Sequence, residues 1–74
     1  MPPRLKYKEV ERILLDAGFK MVRQNGSHRM YEGKVNGERH VVTLAPHQWS
    51  DDVGPKTLAS IIRQSGLSKD RFRT

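Results

Sequence analysis

The sequence predicts an α+β fold with the element order α-β-β-β-α, in which a three-stranded antiparallel sheet carries two helices on one face. Two apolar stripes with helical spacing lie towards the ends of the chain. Three strand-like segments lie between them, separated by the dipeptides Asn25-Gly26 and Asn36-Gly37. A meander with both helices on one side is the simplest way to bury both stripes. The 74 residues have room for a single domain, predicted to span 1–74.

The first helix is predicted from four apolar residues that recur at i, i+3, i+4 and i+7. They are Val10, Ile13, Leu14 and Ala17. Gly18 follows directly and is well suited to end the helix. The start is less well defined, because no Ser, Thr, Asp or Asn precedes the stripe as an N-cap. Pro2 and Pro3 are expected to keep the first residues out of the helix.

Three segments have strand character. In the first, Phe19 and Met21 alternate with a lysine, which indicates a half-buried strand. Asn36-Gly37 is the dipeptide best suited to a two-residue type I′ hairpin turn between the second and third strands. Pro46 lacks an N–H and is expected to end the third. The segments are Phe19–Gln24, Ser27–Glu32 and Arg39–Ala45.

The second helix is predicted to begin at Gly54-Pro55, with the proline at the first helical position. Gly66 is the expected stop, with Leu67 packing back as in a Schellman ending. Ser68 to Phe72 fits one more helical turn, capped by Ser68 and anchored by Phe72. The apolar stripe of this helix is Leu58, Ile61 and Ile62.

The predicted hairpin turn also fixes which side chains share a face of the sheet. If Asn36 and Gly37 are the two turn residues, directly opposed residues of the flanking strands lie on the same face. One face, expected under the helices, then carries Tyr31, Val42 and Leu44. His28 falls on the other, open face, where a ligand can reach it.

The charge of the chain points to polyanionic partners. There are 14 Lys and Arg against 8 Asp and Glu, a net charge of +6, and the basic residues are spread along the whole sequence. This pattern favours a folded cationic surface, and nucleic acid is the first partner to consider.

Other bulk features set the expected compartment. The chain has no cysteine, so disulfides and thiolate zinc sites are excluded. No apolar run approaches the roughly 20 residues of a membrane span. The start, Met1-Pro2-Pro3-Arg4, lacks the apolar stretch of a signal peptide. We therefore expect a cytoplasmic protein without a membrane partner.

Histidine 28, in the run Gly26-Ser27-His28, is the candidate catalytic residue, because imidazole exchanges protons near physiological pH. His47 lies on the continuation of the same predicted face and is a candidate second acid or base. His40 falls on the opposite face, roughly 17 Å along the strand, so it cannot share a metal ion with His28. A site of His28 and His47 with Asp51 or Asp52 stays open, but no spacing demands it. We expect neither a metal nor another cofactor.

Four features in order resemble the HicA-type toxins. They are Phe19 directly after Gly18, the run Gly26-Ser27-His28, a third strand leading into Pro46, and the pattern Gly-x-x-x-Leu-x-x-Ile-x-x-Gln-x-Gly-Leu-Ser over 54–68. The resemblance covers nearly the whole chain.

This resemblance implies a fold like that of double-stranded-RNA-binding domains and a ribonuclease that cleaves messenger RNA. It implies that activity depends on the histidine of the Gly-Ser-His run, here His28, and that a HicB-type antitoxin binds and silences the protein. Family members often have Pro-x-His after the third strand, where this chain has Pro46-His47.

Further residues are candidates for substrate binding. Gly26 and Ser27 would offer backbone N–H groups to a phosphate, and Arg29 and Lys34 would bind phosphates by charge. Trp49 fits a base-stacking role, an anchor for the antitoxin, or plain packing over a helix edge.

Two other functions remain open from the sequence. One is a non-catalytic RNA-binding module of the same fold, against which stands the single lysine, Lys56, at the start of the second helix. The other is an interaction protein whose cationic surface meets only an acidic protein.

Overall fold

A computed structural model of the protein describes residues 4–72. The predictions for Pro2 and Pro3 lie outside this range. The element order α-β-β-β-α is confirmed, with a 3-10 helix after the second α-helix. The elements are α1 Tyr7–Asp16, β1 Lys20–Asn25, β2 His28–Val35, β3 Glu38–Leu44, α2 Pro55–Ser65 and the 3-10 helix Lys69–Phe72.

Helix α1 forms around the predicted stripe, with Val10 and Leu14 fully buried. Its start, which the sequence left undefined, has no serine or aspartate cap and is held instead by the side chain of Glu9. The backbone N–H of Lys6 donates to Oε1 of Glu9 at 2.9 Å, as in the return bond of a capping box. Gly18 follows the helix with a φ of +95°, which suits a glycine.

The three strands form one antiparallel sheet in the order β1-β2-β3. Asn36 and Gly37 both have positive φ, 53° and 82°, as the predicted type I′ turn requires. The predicted register is confirmed: Tyr31 opposes Val42. On the face that both helices cover, Tyr31, Val42 and Leu44 are completely buried.

Strand β1 differs from the prediction of a half-buried strand. Every one of its residues is exposed, and 46% of the surface of Met21 is accessible. The reason is that the core lies over β2 and β3, which supply all the fully buried residues of the sheet. Of the predicted strand Phe19–Gln24, only Phe19, just before β1, belongs to the core.

The second half of the chain closes the core. Helix α2 has Pro55 in its first turn and ends at Gly66 in the left-handed conformation, φ 68°, as predicted. The backbone N–H of Asp70 donates to Oγ of Ser68 at 3.2 Å. Phe72 is buried, so the final turn is capped and anchored as expected.

The loop between β3 and α2 is held against the start of the chain. The N–H of Val53 donates to the carbonyl of Leu5 at 2.8 Å, and the N–H of Lys8 donates to the carbonyl of Trp49 at 3.0 Å. Leu5 and Val53 are both buried. These contacts draw the loop towards the helices and away from the open face of the sheet.

No helix within residues 4–72 combines the length and the apolar character needed to cross a bilayer.

The packing of Phe19 on Gly33 gives a stability test. A Cβ added at Gly33 would lie 2.7 Å from the Phe19 ring, which is itself buried. We expect Gly33→Ala to lower the free energy of unfolding by about 1–3 kcal/mol, the usual cost of overpacking a core. Urea unfolding followed by circular dichroism measures this.

Gly54→Ala is the matched control, because Gly54 has a φ of −63° and open space around the added methyl group. We expect it to cost less than about 1 kcal/mol, mainly through the lost glycine N-cap. Equal destabilisation by the two substitutions would contradict the packing argument.

Candidate functional site

His28 is the first residue of β2 and directly follows a two-residue turn. Asn25 and His28 are paired across the hairpin, so Gly26 and Ser27 are the turn residues. Gly26 has a φ of +62°, while Ser27 has a negative φ, the pattern of a type II′ turn. The tight turn fixes the position of His28 at the end of the sheet, where its side chain is exposed.

The His28 side chain lies in a shallow groove on the open face of the sheet. The groove has a volume of about 310 Å³, and all three strands contribute to it. No carboxylate of residues 4–72 lines it. Its lining residues are Arg23, Asn25, His28, Met30 and Thr43. We call this feature the His28 groove.

The two-residue turn sets which side chains of β1 enter the His28 groove. Asn25 opposes His28 across the turn, and Arg23 opposes Met30, so both lie on the face of His28 because side chains alternate along a strand. The register shifts between Met21 and Arg23, where Val22 has no partner on β2. This β-bulge sets Met21 opposite Tyr31, on the helix-covered face. Bulges commonly re-aim side chains in this way.

Arg29, predicted to bind substrate, lies on the helix-covered face. Its Nη1 is 3.0 Å from Oε2 of Glu11, and its guanidinium stacks over the Trp49 ring at 4.2 Å from the centroid. The edge of Tyr7 meets the same indole at 6.5 Å. The structure therefore does not bring Arg29 to His28, and half-buried Trp49 packs over the start of α1.

Lys34, the other predicted phosphate contact, is exposed on the face of His28. It lies roughly 20 Å farther along β2 than His28, outside the His28 groove. Its surroundings are charged: Nη2 of Arg39, on the strand opposite, lies 3.0 Å from Oε2 of Glu32. The hydrogen bond from Arg39 lowers the pKa of Glu32.

The other two histidines lie away from the groove. His47 is exposed in the loop that is held towards the helices, and it does not line the His28 groove. His40 contacts the end of α2: its Nδ1 is 3.1 Å from the carbonyl oxygen of Gln64. Within residues 4–72 no three His, Asp or Glu side chains stand close enough to hold a metal ion.

Comparison with known families decides what kind of protein this is. Residues 7–67 match the family model described as the HicA toxin of bacterial toxin–antitoxin systems. The chain belongs to the HicA toxin family. The match runs from the first residue of α1 to the residue after the Gly66 stop, so it includes every strand and His28. No curated protein matches the chain.

Membership of the HicA family confirms the resemblance read from the sequence. The protein is a toxin of a toxin–antitoxin pair, and an antitoxin is its partner. The assignments of individual site residues, including His28, His47, Gly26, Ser27 and Lys34, stay predictions.

Sequence reasoning missed two of the groove residues, Arg23 and Asn25. Arg23 was missed because regular alternation from Met21 would place it on the helix-covered face. Nothing in the sequence marks Val22 as the bulge that breaks this alternation. Asn25 could have been found, because it directly precedes the turn that leads to His28. From the sequence alone it is predicted only as a turn residue.

The polar cluster beneath α1 gives a second test. The hydroxyl of Tyr31 donates to Oε2 of Glu11. Burial, and then this hydrogen bond, raise the pKa of Tyr31 from 10.0 to about 12. The fold thus favours the neutral phenol, so this stabilisation is present below pH 10 and is lost as pH rises from 10 to 12.

We expect Tyr31→Phe to unfold with a weaker pH dependence than the wild type between pH 9 and 11.5. The difference in free energy of unfolding between the two proteins should change by about 2 kcal/mol over that range. Tyr7→Phe is the control, since the Tyr7 hydroxyl has no hydrogen-bond partner among residues 4–72. If both variants keep the wild-type pH dependence, the buried phenol is not the cause.

Proposed function

We propose that this HicA-family toxin is an endoribonuclease that cleaves messenger RNA, with His28 as a general acid or base. The observation that carries the proposal is the position of His28. It is an exposed imidazole directly after a tight turn, in a groove lined by a cationic side chain and, among residues 4–72, by no carboxylate.

The chemistry uses a nucleophile that RNA itself supplies. His28 would remove the proton from a 2′-hydroxyl, whose oxygen then attacks the adjacent phosphorus, or would protonate the departing 5′-oxygen. Acid–base help of this kind contributes typically about 10²–10⁴-fold. Because the nucleophile belongs to the substrate, no step requires a metal ion. The products are a 2′,3′-cyclic phosphate and a 5′-hydroxyl, and DNA is spared because it lacks the 2′-hydroxyl.

The turn before His28 supports binding of the reacting phosphate. A tight turn with glycine at its first position lets a phosphate approach the backbone closely, and successive N–H groups there form a concavity that suits anions. The net charge of +6 would draw RNA to the surface by a salt-dependent attraction.

The proposed protein partner is a HicB-type antitoxin. The family match implies an antitoxin, and a segment that covers the His28 groove would silence the enzyme by denying RNA access.

The alternative is an RNA-binding module without catalytic activity, which the cationic surface supports equally well. An enzyme needs the imidazole of His28 for turnover, whereas a binding module needs mainly the charge of the surface. Cleavage and affinity therefore separate the two functions.

The decisive experiment incubates the purified protein with a defined single-stranded RNA in EDTA, beside His28→Ala. We expect the wild type to cleave and His28→Ala to lose at least about 10²-fold in rate, with most of its RNA affinity retained. The cleavage ends should be 2′,3′-cyclic phosphates, identified by mass spectrometry.

Gln24→Ala is the matched control, because Gln24 is exposed in the same hairpin but opposes Arg29 on the other face. It should cleave at the wild-type rate. RNA binding without cleavage by any variant would favour the binding module. Cleavage of DNA at the same rate, or 3′-hydroxyl ends, would rule out attack by the 2′-hydroxyl.

A further inference from the structure

Among the arginines of the sheet, only one is free to meet a ligand. Arg29 is engaged by Glu11 and Arg39 by Glu32, each at 3.0 Å. The side chain of Arg23 has no hydrogen bond or ion pair with any residue of the described chain, 4–72. Its charge is therefore uncompensated, on a strand whose residues are all exposed.

This free guanidinium lies beside His28. Asn25 directly opposes His28, and Arg23 opposes Met30, so Arg23 is the diagonal cross-strand neighbour of His28. Such neighbours lie roughly 7–8 Å apart, within reach of a long side chain. Both residues line the same groove.

We propose that Arg23 binds the RNA phosphate on which His28 acts. This inference rests on the proposed function. A planar guanidinium presents two parallel N–H donors to phosphate oxygens and remains charged at all working pH values. It stabilises the charge that builds on the phosphate as the 2′-oxygen attacks, while the proton is transferred by the neighbouring imidazole.

The short turn is essential to this geometry. Only Gly26 and Ser27 separate Asn25 from His28, so the last residues of β1 pair directly with the first residues of β2. Residues two apart on a strand share a face, so Arg23 lies on the face of Asn25 and His28. A turn longer by one residue would set Arg23 on the face of Arg29, across the sheet from His28.

The test compares Arg23→Gln with Arg12→Gln, which removes the same charge from an exposed position of α1, across the sheet from His28. We expect Arg23→Gln to lower kcat/KM for a defined single-stranded RNA by about 10²-fold. Arg12→Gln should lower it by less than about twofold, because a distant exposed charge is screened by salt. Equal losses in the two variants would overturn the proposal.

A charge-neutral variant separates position from net charge. Arg23→Gln combined with Gln24→Arg keeps the composition and moves the guanidinium to the face of Arg29. We expect it to be as impaired as Arg23→Gln, with thermal unfolding confirming that the fold persists. Wild-type activity in this double variant would show that only overall charge matters.

Binding to a fully 2′-O-methylated RNA of the same sequence tests Arg23 without cleavage. For Arg23→Gln the plot of log affinity against log salt should be less steep by about 0.7, the value for one lost phosphate contact on a single strand. Unchanged steepness overturns the role of Arg23. If the wild type binds this RNA but never cleaves the unmodified one, the proposed enzyme fails while the phosphate contact is still decided by this slope.

Discussion

The register of the β2–β3 hairpin is the constraint on which the rest of the structure depends. A two-residue turn at Asn36-Gly37 with two positive φ angles fixes every pairing between the longest strands. A slip by one residue would set Tyr31 opposite Val41 or Thr43 instead of Val42. Tyr31 and Val42 would then lie on opposite faces, and the helices could not bury both. The turn thus fixes which side chains of β2 and β3 share the buried face and which, like His28, share the open face.

Attachment of helix α1 to the sheet relies on a polar contact as well as on apolar packing. Tyr31 and Arg29 both reach the carboxylate of Glu11, so α1 is joined to the helix-covered face of β2. Within the described chain no buried side-chain polar atom lacks a partner, which matters because such groups are costly when unpaired. Satisfying this cluster also occupies Arg29, and the cation next to His28 has to come from another strand.

Strand β1 supplies that cation, and its bulge limits the exposed edge of the sheet. A long, regular edge strand invites pairing with other chains, and bulges and charged residues counter this. Lys20, Val22 and Arg23 combine both devices in one short strand. The exposed edge of the sheet is therefore irregular and cationic, which disfavours pairing with a strand of another chain.

The sequence alone determined the α-β-β-β-α order, the type I′ turn and the exposure of His28, because periodicity and turn chemistry are local properties of the chain. It also carried the family resemblance, since the Gly-Ser-His run and the second-helix pattern are contiguous. Only the tertiary structure decided the exposure of Met21, the capture of Arg29 by Glu11 and the entry of Arg23 into the groove. Each of these depends on how the helices sit on the sheet or on how the strands pair, and such long-range geometry leaves no periodic signal.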